Sequence, residues 1–495
     1  MHGRLPSLTV PRKADSEVLM TPVAADEVLH NSSLIQQLTM AAKDAALLHG
    51  VLMRTKEEPS SSETTSYAPF SLFPSPVPKK LFTQACEVQQ DFNLLVDRIS
   101  QDSEFLTKVL ASTVEVDDFT AGLFRIYKEV LKEGIAQPIT LGINRSDYMF
   151  DRGLDHNVSL KQIEINTIAA SYAGLAERVP DVHRHVLNFW GKSDEAAKIL
   201  SNPAVKGIAE GIAKAWQLYG SPEAVVLFVV EKISRNIFDQ RCLEMELWNK
   251  NIRVIRRQTV DIHERGSLNE EKKLFVDGYE VAVAYFRTGY SPEDYQDEDC
   301  WEARLLIELS KAIKCPDIAT HLVGTKKVQQ ELARSGVVEK YLTECPKSVE
   351  RIRATFAGLY SIDEGPEGDE IIKKAVDDPE GFVLKPQREG GGNNIFGEEL
   401  RQLLGAIKDG PKRSAYILMD RIKPQTVKNY LLHPGAPLKL SDCVVELGVF
   451  GVYIRKCRKL VMNESPGHLL RTKSTEFADG GVSAGVAVLD TPYLI

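Results

Sequence analysis

No apolar stretch of this chain approaches the ~18 residues that a membrane-spanning helix requires. Cysteine is scarce and scattered. Cys86, Cys242, Cys300, Cys315, Cys345, Cys443 and Cys457 are odd in number and lack C-x-x-C spacing, which argues against a disulfide framework or a zinc site and fits reduced thiols of the cytosol. Positive charge is also short: 61 Lys and Arg against 69 Asp and Glu leave −8, and the absence of a basic run argues against a nucleic-acid binder. No G-x-x-x-x-G-K-[ST] loop occurs. Gly191-Lys192-Ser193 mimics its end, but Val186 stands where the first glycine belongs. Histidines and cysteines form no triad or metal spacing, so hydrolysis by a nucleophilic side chain is not indicated. The opening residues carry Arg4, Arg12 and Lys13 before any acid, yet Asp15, Glu17, Asp26 and Glu27 follow and no secretory apolar core is present. Residues 1–30 therefore read as a disordered extension.

What remains is an ordinary globular composition, 43% apolar and 26% charged over 495 residues, enough for about three domains at ~150 residues each. Ser33 with Gln36 forms a capping box before apolar residues at helical spacing from Leu34 to Leu48, and Gly50 is a plausible stop. The Ser- and Pro-rich loop from Glu57 to Pro78 holds Tyr67, Phe70, Leu72 and Phe73, so it is expected to be packed down. A long amphipathic helix follows, with Leu81, Phe92 and Ile99 on its apolar face. From about Pro222 strands and helices alternate: strand Val225–Val230, helix Phe238–Asn249, strand Ile252–Ile255, then a tight turn at Asp277-Gly278 into Val281–Phe286. That texture predicts a compact α/β unit set into a larger body. Further strands are expected at Ala415–Leu418 and Cys443–Ile454.

The most informative segment is Phe382-Val-Leu-Lys-Pro-Gln-Arg-Glu-Gly-Gly-Gly-Asn-Asn394. A short buried strand delivers Lys385, a point charge suited to phosphate oxygens; Glu389 suits Mg2+, and three glycines free backbone N–H groups to close over a polyphosphate. A Gly-rich hairpin beside a surface lysine is the plainer alternative. In Leu160-Lys-Gln-Ile-Glu-Ile-Asn166, strand alternation puts Gln162, Glu164 and Asn166 on one face, where a carboxylate and an amide oxygen can hold one hard cation; for this strand taken alone a solvated sheet face is the favoured reading, and the cation reading gains its weight from company. Glu446 is a lone acid in the apolar run Cys443–Phe450, which calls for a metal or a cation beside it. Glu164, Asn166, Glu389 and Glu446 are thus a candidate magnesium shell. Arg471 and Lys473 share a strand face just before the glycine-rich Asp479–Gly485, and Arg145, Arg287 and Arg471 together suit a substrate with several carboxylates. From the residues alone the reading ends at an ATP- and magnesium-dependent enzyme acting on a polyanion.

Through Tyr67-Ala-Pro-Phe70, Gln162-Ile-Glu-Ile-Asn-Thr167, Asn236-Ile-Phe-Asp-Gln-Arg241, Lys385–Asn394 and His468-Leu-Leu-Arg-Thr-Lys473, the chain closely resembles the eukaryotic glutathione synthetase family of ATP-grasp ligases, from about Leu34 to the C-terminus. The resemblance implies an α/β ATP-grasp architecture. Its body would run over 31–221 and 326–495, with a three-layer α/β substrate-binding domain inserted at 222–325, a glycine-loop lid at about 345–412 and a substrate loop at 475–487. It implies ligation of γ-glutamylcysteine to glycine through an acyl phosphate, with ATP becoming ADP and phosphate, by a cytosolic homodimer. Glu164, Asn166 and Glu389 match magnesium ligands. Glu164, Lys326, Lys385, Glu446, Lys473 and Asp479 match nucleotide contacts, together with the loop Gly390, Gly391, Gly392, Asn393 and Asn394. Phe396 and the strand edge Met419, Asp420, Arg421 and Ile422 match the surroundings of the adenine. Arg145, Asn236, Gln240, Arg287, Tyr290 and Arg471 match dipeptide contacts, with Ile168, Ala169, Ala170 and Ser171 beside them. Ser234, Arg235, Val482 and Ser483 complete the substrate side. Arg471, Lys385 and Arg145 are the expected catalytic groups. Departures are Asp420 for Glu, Arg421 for Lys, Phe396 for Tyr, Ala169 for Ser and Ser483 for Ala. The last bears on acceptor choice, which leaves a ligase for another acceptor amine (homoglutathione-type) as one alternative; the other is a non-catalytic nucleotide-binding scaffold, which loss of Glu164, Glu389 or Arg471 would signal, and all three are present.

Overall fold

The computed structural model describes residues 23–153 and 157–495. Most of the expected disordered extension, 1–22, lies outside the described residues. The remainder of it is packed: Val23 and Leu29 are buried, and Asp26–Leu29 is a short helix. The next helix, Ser32–Leu48, is capped not by the Ser33 box but by Asn31, whose side chain accepts from Leu34 N at 3.1 Å.

A seven-stranded sheet forms the body, in the order Val427–Leu432, Phe70–Ser71, Val488–Asp490, Lys459–Ser474, Leu440–Lys456, Ile139–Arg152, Val158–Asn166. All its pairings are antiparallel except that between Val488–Asp490 and Phe70–Ser71. Side-chain alternation feeds two cores. One face sends Tyr148, Phe150, Val445, Leu447 and Val449 against the Lys79–Ser100 helix with Val88, Phe92 and Leu95. The other sends Leu141, Ile143, Phe450, Val452 and Leu469 against Ile208 and Ile212 of the Ala204–Tyr219 helix. Along this second face the three central strands all change character at the same level. Leu141 and Ile143 give way to Arg145 and Asp147, Val452 and Phe450 to Gly448 and Glu446, and Leu469 to Arg471 and Lys473. The apolar end is core; the charged end is where a site is built.

Within 222–325, strands Val254–Arg257, Val225–Val229, Tyr279–Phe286 and Ile313–Cys315 run parallel. Their alternate residues pack to opposite sides, Val225, Leu227 and Val229 with Ile262 and Ile307, Val226 and Phe228 with Leu243 and Leu247, so helices cover both faces. Asp277 (φ 52°) and Gly278 (φ 79°) make the left-handed turn pair that a two-residue hairpin needs. The expected strand at Ile252–Ile255 lies two residues further on, at Val254–Arg257.

A third unit is a three-stranded antiparallel sheet, Leu359–Ser361, Tyr416–Asp420, Phe382–Pro386, with helices Pro366–Asp377 and Gly397–Ile407. It has its own core of Ile362, Ile371, Leu384, Leu400, Leu404 and Leu418. The range expected for the lid, 345–412, is therefore displaced. The Pro346–Thr355 helix is tied to the body through Arg351, which donates to Asp91 at 2.6 and 2.8 Å, and the Tyr416–Asp420 strand, beyond that range, joins this three-stranded sheet.

Candidate active site

At the charged end of the central strands, Asp147 is the shared anion. Arg145 donates to both its oxygens at 2.7 and 2.8 Å, Arg471 donates at 3.0 Å and Asn166 Nδ2 at 3.0 Å. Burial would raise its carboxyl, but the charges of Arg145 and Arg471 outweigh that and hold it below the usual range. Gly448 makes room for the pair: a Cβ there would lie 2.7 Å from Asp147 Oδ1 and 2.8 Å from Arg145 Cδ. Glu446 is the cross-strand neighbour of Arg471 and pairs with it. The cation this lone acid required is thus an arginine.

The neighbouring strand needs a correction. Asp147 faces Glu164, but Tyr148 faces Gln162, so Ile163 is an extra residue in a bulge. The bulge reverses the alternation. Gln162 turns in with Leu160 and away from the face of Glu164 and Asn166, while Ile165 packs with Leu160 and Tyr148 in the core. It also frees the Ile163 carbonyl to accept from Lys385 Nζ at 2.8 Å.

Lys326, the first residue of the Lys326–Leu332 helix, brings the distant acids together. Its ammonium lies 3.0 Å from Glu164 Oε2 and 2.7 Å from Glu389 Oε1. Burial opposes its charge, but the two carboxylates raise its pKa above the ordinary lysine value. Burial would also raise Glu164, yet Lys326 and Lys385 hold it down at about 2, whereas for Glu389 burial prevails and pushes it up to about 7. Burial lowers Lys385 to about 8. The donor set fits a hard divalent ion: two carboxylate oxygens already converge on one positive charge, and Asn166, donating through Nδ2, keeps its Oδ1 as an acceptor.

On the side of the inserted unit, Arg287 donates to Ser171 Oγ at 2.9 Å, Asp239 Oδ2 at 3.1 Å and Ala170 O at 3.3 Å. Arg145 Nη1 reaches Ser171 O at 3.2 Å, so both arginines meet on the segment Ile168, Ala169, Ala170, Ser171, in which Ala169 takes φ 49°. Tyr172 OH lies 2.5 Å from Ser483 Oγ, linking this segment to the glycine-rich loop that follows Asp479. Asn236 donates to Asp239 at 3.3 Å. Ser234 and Gln240 bond one another at 3.1 Å, with Arg256 donating to Gln240 at 2.5 Å. Arg235 instead bonds Arg54 O at 3.2 Å and lines, with Val482 and Lys56, a separate cleft of about 610 Å³.

Both glycine loops meet above the site. Asp479 Oδ2 accepts from Asn394 N at 3.0 Å and Lys473 donates to Ala478 O at 2.9 Å. Gly390, Gly391 and Gly392 all take positive φ (96°, 73° and 80°), which restricts these positions to glycine. Asn393 stays within the loop, donating to Glu389 O at 3.2 Å, and Gly390 lies against Tyr290. At the edge of the three-stranded sheet, Tyr360 donates to Asp420 at 3.3 Å and Arg421 lies over the Phe396 ring, 5.6 Å from its centroid, while Met419 is buried and Ile422 half-buried.

Two organising residues were not singled out from the sequence: Asp147, and Asp239, which accepts from Tyr172 N at 2.9 Å and Gly174 N at 2.8 Å besides Arg287. Arg145 and Asp147 stand two apart on a strand, which already puts them on one face. Nothing comparable marks Asp239. Among the described residues, the tight group of His, Cys, Asp or Glu able to hold a metal is the half-buried His263 with the exposed Asp299 and Glu302, on the inserted unit. A cavity of about 320 Å³ beside Tyr127, Lys314 and Arg455 contains none of the expected site residues.

The chain matches the profile described as eukaryotic glutathione synthase, ATP binding domain, over residues 32–494. It is 59% identical over 470 residues to glutathione synthetase of Xenopus laevis, covering 95% of this chain and 99% of that protein. Against the Homo sapiens glutathione synthetase it is 59% identical over 466 residues (94% and 98%). Among solved structures, it is similar to a glutathione synthetase-like effector from Globodera pallida in apo form, with TM-score 0.76, 26% identity, and coverage of 94% of this chain and 98% of that one.

Proposed function

The chain belongs to the eukaryotic glutathione synthase family and joins γ-glutamylcysteine to glycine at the expense of ATP, and from that premise we propose the following roles for its cleft. The observation that carries the assignment is the meeting of Glu164 and Glu389 on Lys326, under a loop of three left-handed glycines and beside the Arg145–Asp147–Arg471 cluster.

A carboxylate is a poor electrophile, so the dipeptide's cysteine carboxylate first attacks the γ-phosphorus of ATP, giving an acyl phosphate and ADP. Arg145 and Arg287, aligned by Ser171, bind the anionic dipeptide; Lys326, Lys385 and Lys473 bind phosphate oxygens. The lid edge Met419–Ile422 with Phe396 takes the adenine. Glu164, Asn166 and Glu389 would hold Mg2+, which when bound would neutralise charge on the phosphoryl group. Glycine's amine then attacks the acyl carbon. Arg471, already fixed by Asp147, stabilises the oxyanion of the tetrahedral intermediate, and phosphate leaves. Water would hydrolyse the acyl phosphate, and the Asn394–Asp479 contact between the two loops supports their action as a joint cover.

Phosphate release from ATP is expected only when γ-glutamylcysteine and glycine are both supplied. Equal release with the dipeptide omitted would reject the assignment. Cytosolic location is supported by seven free cysteines, and no helix among the described residues is long and apolar enough to cross a membrane. Homodimerisation rests on the family resemblance, and light scattering at twice the chain mass tests it.

A further inference from the structure

Against Glu389 lies a small, partly open chamber of about 20 Å³, walled by Phe119, Thr167, Ile168, His321, Gln387 and Glu389 among others. Four of its walls carry a buried polar atom with no protein partner: Thr167 Oγ1, His321 Nδ1, Gln387 Nε2 and Glu389 Oε2. Unpartnered buried polar atoms are uncommon, and each is expensive. Four around one chamber are a constellation. The volume matches one water, which needs on the order of 10–15 Å³ and two to four polar neighbours.

Donors and acceptors balance. Gln387 Oε1 already accepts from Lys327 N at 3.1 Å, which fixes the amide so that Nε2 is the free donor. The Thr167 hydroxyl is a second donor, and a side chain on Gly324 would collide with it. Glu389 Oε1 is engaged by Lys326, so in the ionised carboxylate that a bound cation requires Oε2 is left as an acceptor. Burial, with Arg304 nearby, holds His321 well below the usual histidine value, so its ring is neutral and Nδ1 can accept when the proton sits on Nε2. Two donors and two acceptors are what a tetrahedral water completes.

We propose that this chamber holds one ordered water bridging Thr167, His321, Gln387 and Glu389, which makes the first three positioning residues for the Glu389 carboxylate. The inference rests on the metal-binding role given to Glu389 above. Its logic is positional: Thr167 follows Asn166, Gln387 lies between Lys385 and Glu389, and His321 belongs to the Ile318–Val323 helix, just before Lys326. One water thus ties the three segments that carry the cation ligands and phosphate lysines, and fixes the direction in which Glu389 Oε1 points. Partners behind a metal ligand commonly change cation affinity by about 10–100-fold when removed.

The test uses the full chain and three variants: His321→Leu, His321→Gln, which keeps a polar group, and the near-isosteric Thr167→Val as a check should His321→Leu fail to fold. Mn2+ binding in the presence of ADP is followed by electron paramagnetic resonance, with kcat and KM for glycine measured alongside. His321→Leu and Thr167→Val are expected to weaken Mn2+ binding by about tenfold or more while leaving KM for glycine unchanged, and His321→Gln to recover most of the loss. A high-resolution crystal structure is expected to show one water in the chamber. A dry chamber, a metal ion in it, or Mn2+ affinity within twofold for both Leu and Val variants overturns the inference. A wild-type enzyme that makes glutathione while the variants bind Mn2+ normally defeats only this inference; a wild type that makes none defeats the functional reading instead.

Discussion

Replacing Asp147 by asparagine removes one negative charge from a fully buried position without changing its shape. Three of the four hydrogen bonds it accepts come from guanidinium groups, two from Arg145 and one from Arg471, and the fourth comes from Asn166. Hydrogen bonds to charged groups contribute about 1.5–3 kcal/mol each, but they are not additive here. Arg471 keeps its contact with Glu446, and an asparagine oxygen in the place of Oδ2 can still accept from Arg145, Arg471 and Asn166, leaving the amide nitrogen against Arg145 Nε. Breaking a buried ion pair on one side costs about 3–5 kcal/mol, which is the figure to use. The neighbours cannot relax far, because Gly448 is packed against both Asp147 and Arg145. The expected result is a Tm lower by on the order of 5 °C and a kcat/KM for dipeptide reduced by about 10²–10³, since two substrate-facing arginines lose their common anchor. Differential scanning fluorimetry and steady-state kinetics read the two effects. A variant with Tm within about 1 °C of wild type and kcat/KM within about threefold would refute the claim that Asp147 organises the site.

Other consequences follow from single groups. Because burial holds Lys385 at about 8, it loses its proton as pH rises through that value, so KM for ATP should climb above pH 8, and Lys385→Arg should flatten the rise. Gly391→Ala forces a φ of 73° on a residue with a Cβ at a strain of about 1 kcal/mol; KM for ATP should increase several-fold with Tm lowered by only about 1 °C, and an unaltered KM would mean the loop does not touch phosphate. Burial depresses His468 to about 4 from 6.5, so the unfolded chain takes up its proton first as pH falls; stability present above pH 6.5 should decline down to about pH 4, and His468→Phe should lessen that slope in acid-unfolding curves. Asn31→Ala removes a helix cap and should lower stability by about 1 kcal/mol without affecting kcat.

Much of the site could be read from residue chemistry, because glycine runs and charged residues in apolar strands have few uses. Lys385, Glu389 and the three glycines stood out as a candidate phosphate loop, and the structure places Glu389 on Lys326 and all three glycines at positive φ; Glu446 called for a cation, which is Arg471. What strict alternation could not deliver was the bulge at Ile163: one added residue turned Gln162 to the other face, and no residue in that strand flags it. Asp239 was hidden for a related reason. It lies near the start of a helix and acts through tertiary contacts to Tyr172, Gly174 and Arg287, which no local pattern encodes. Boundaries moved for energetic reasons: Arg351 on Asp91 ties a helix expected in the lid to the body, and burial of Val23 and Leu29 packs residues expected to be disordered.

The central claim is that ATP activates the dipeptide's cysteine carboxylate before glycine attacks. γ-Glutamylcysteine labelled with 18O in that carboxylate, turned over with ATP and glycine, tests it directly: one labelled oxygen per turnover should appear in the released phosphate, read by mass spectrometry. Glutathione formed with unlabelled phosphate would contradict the account.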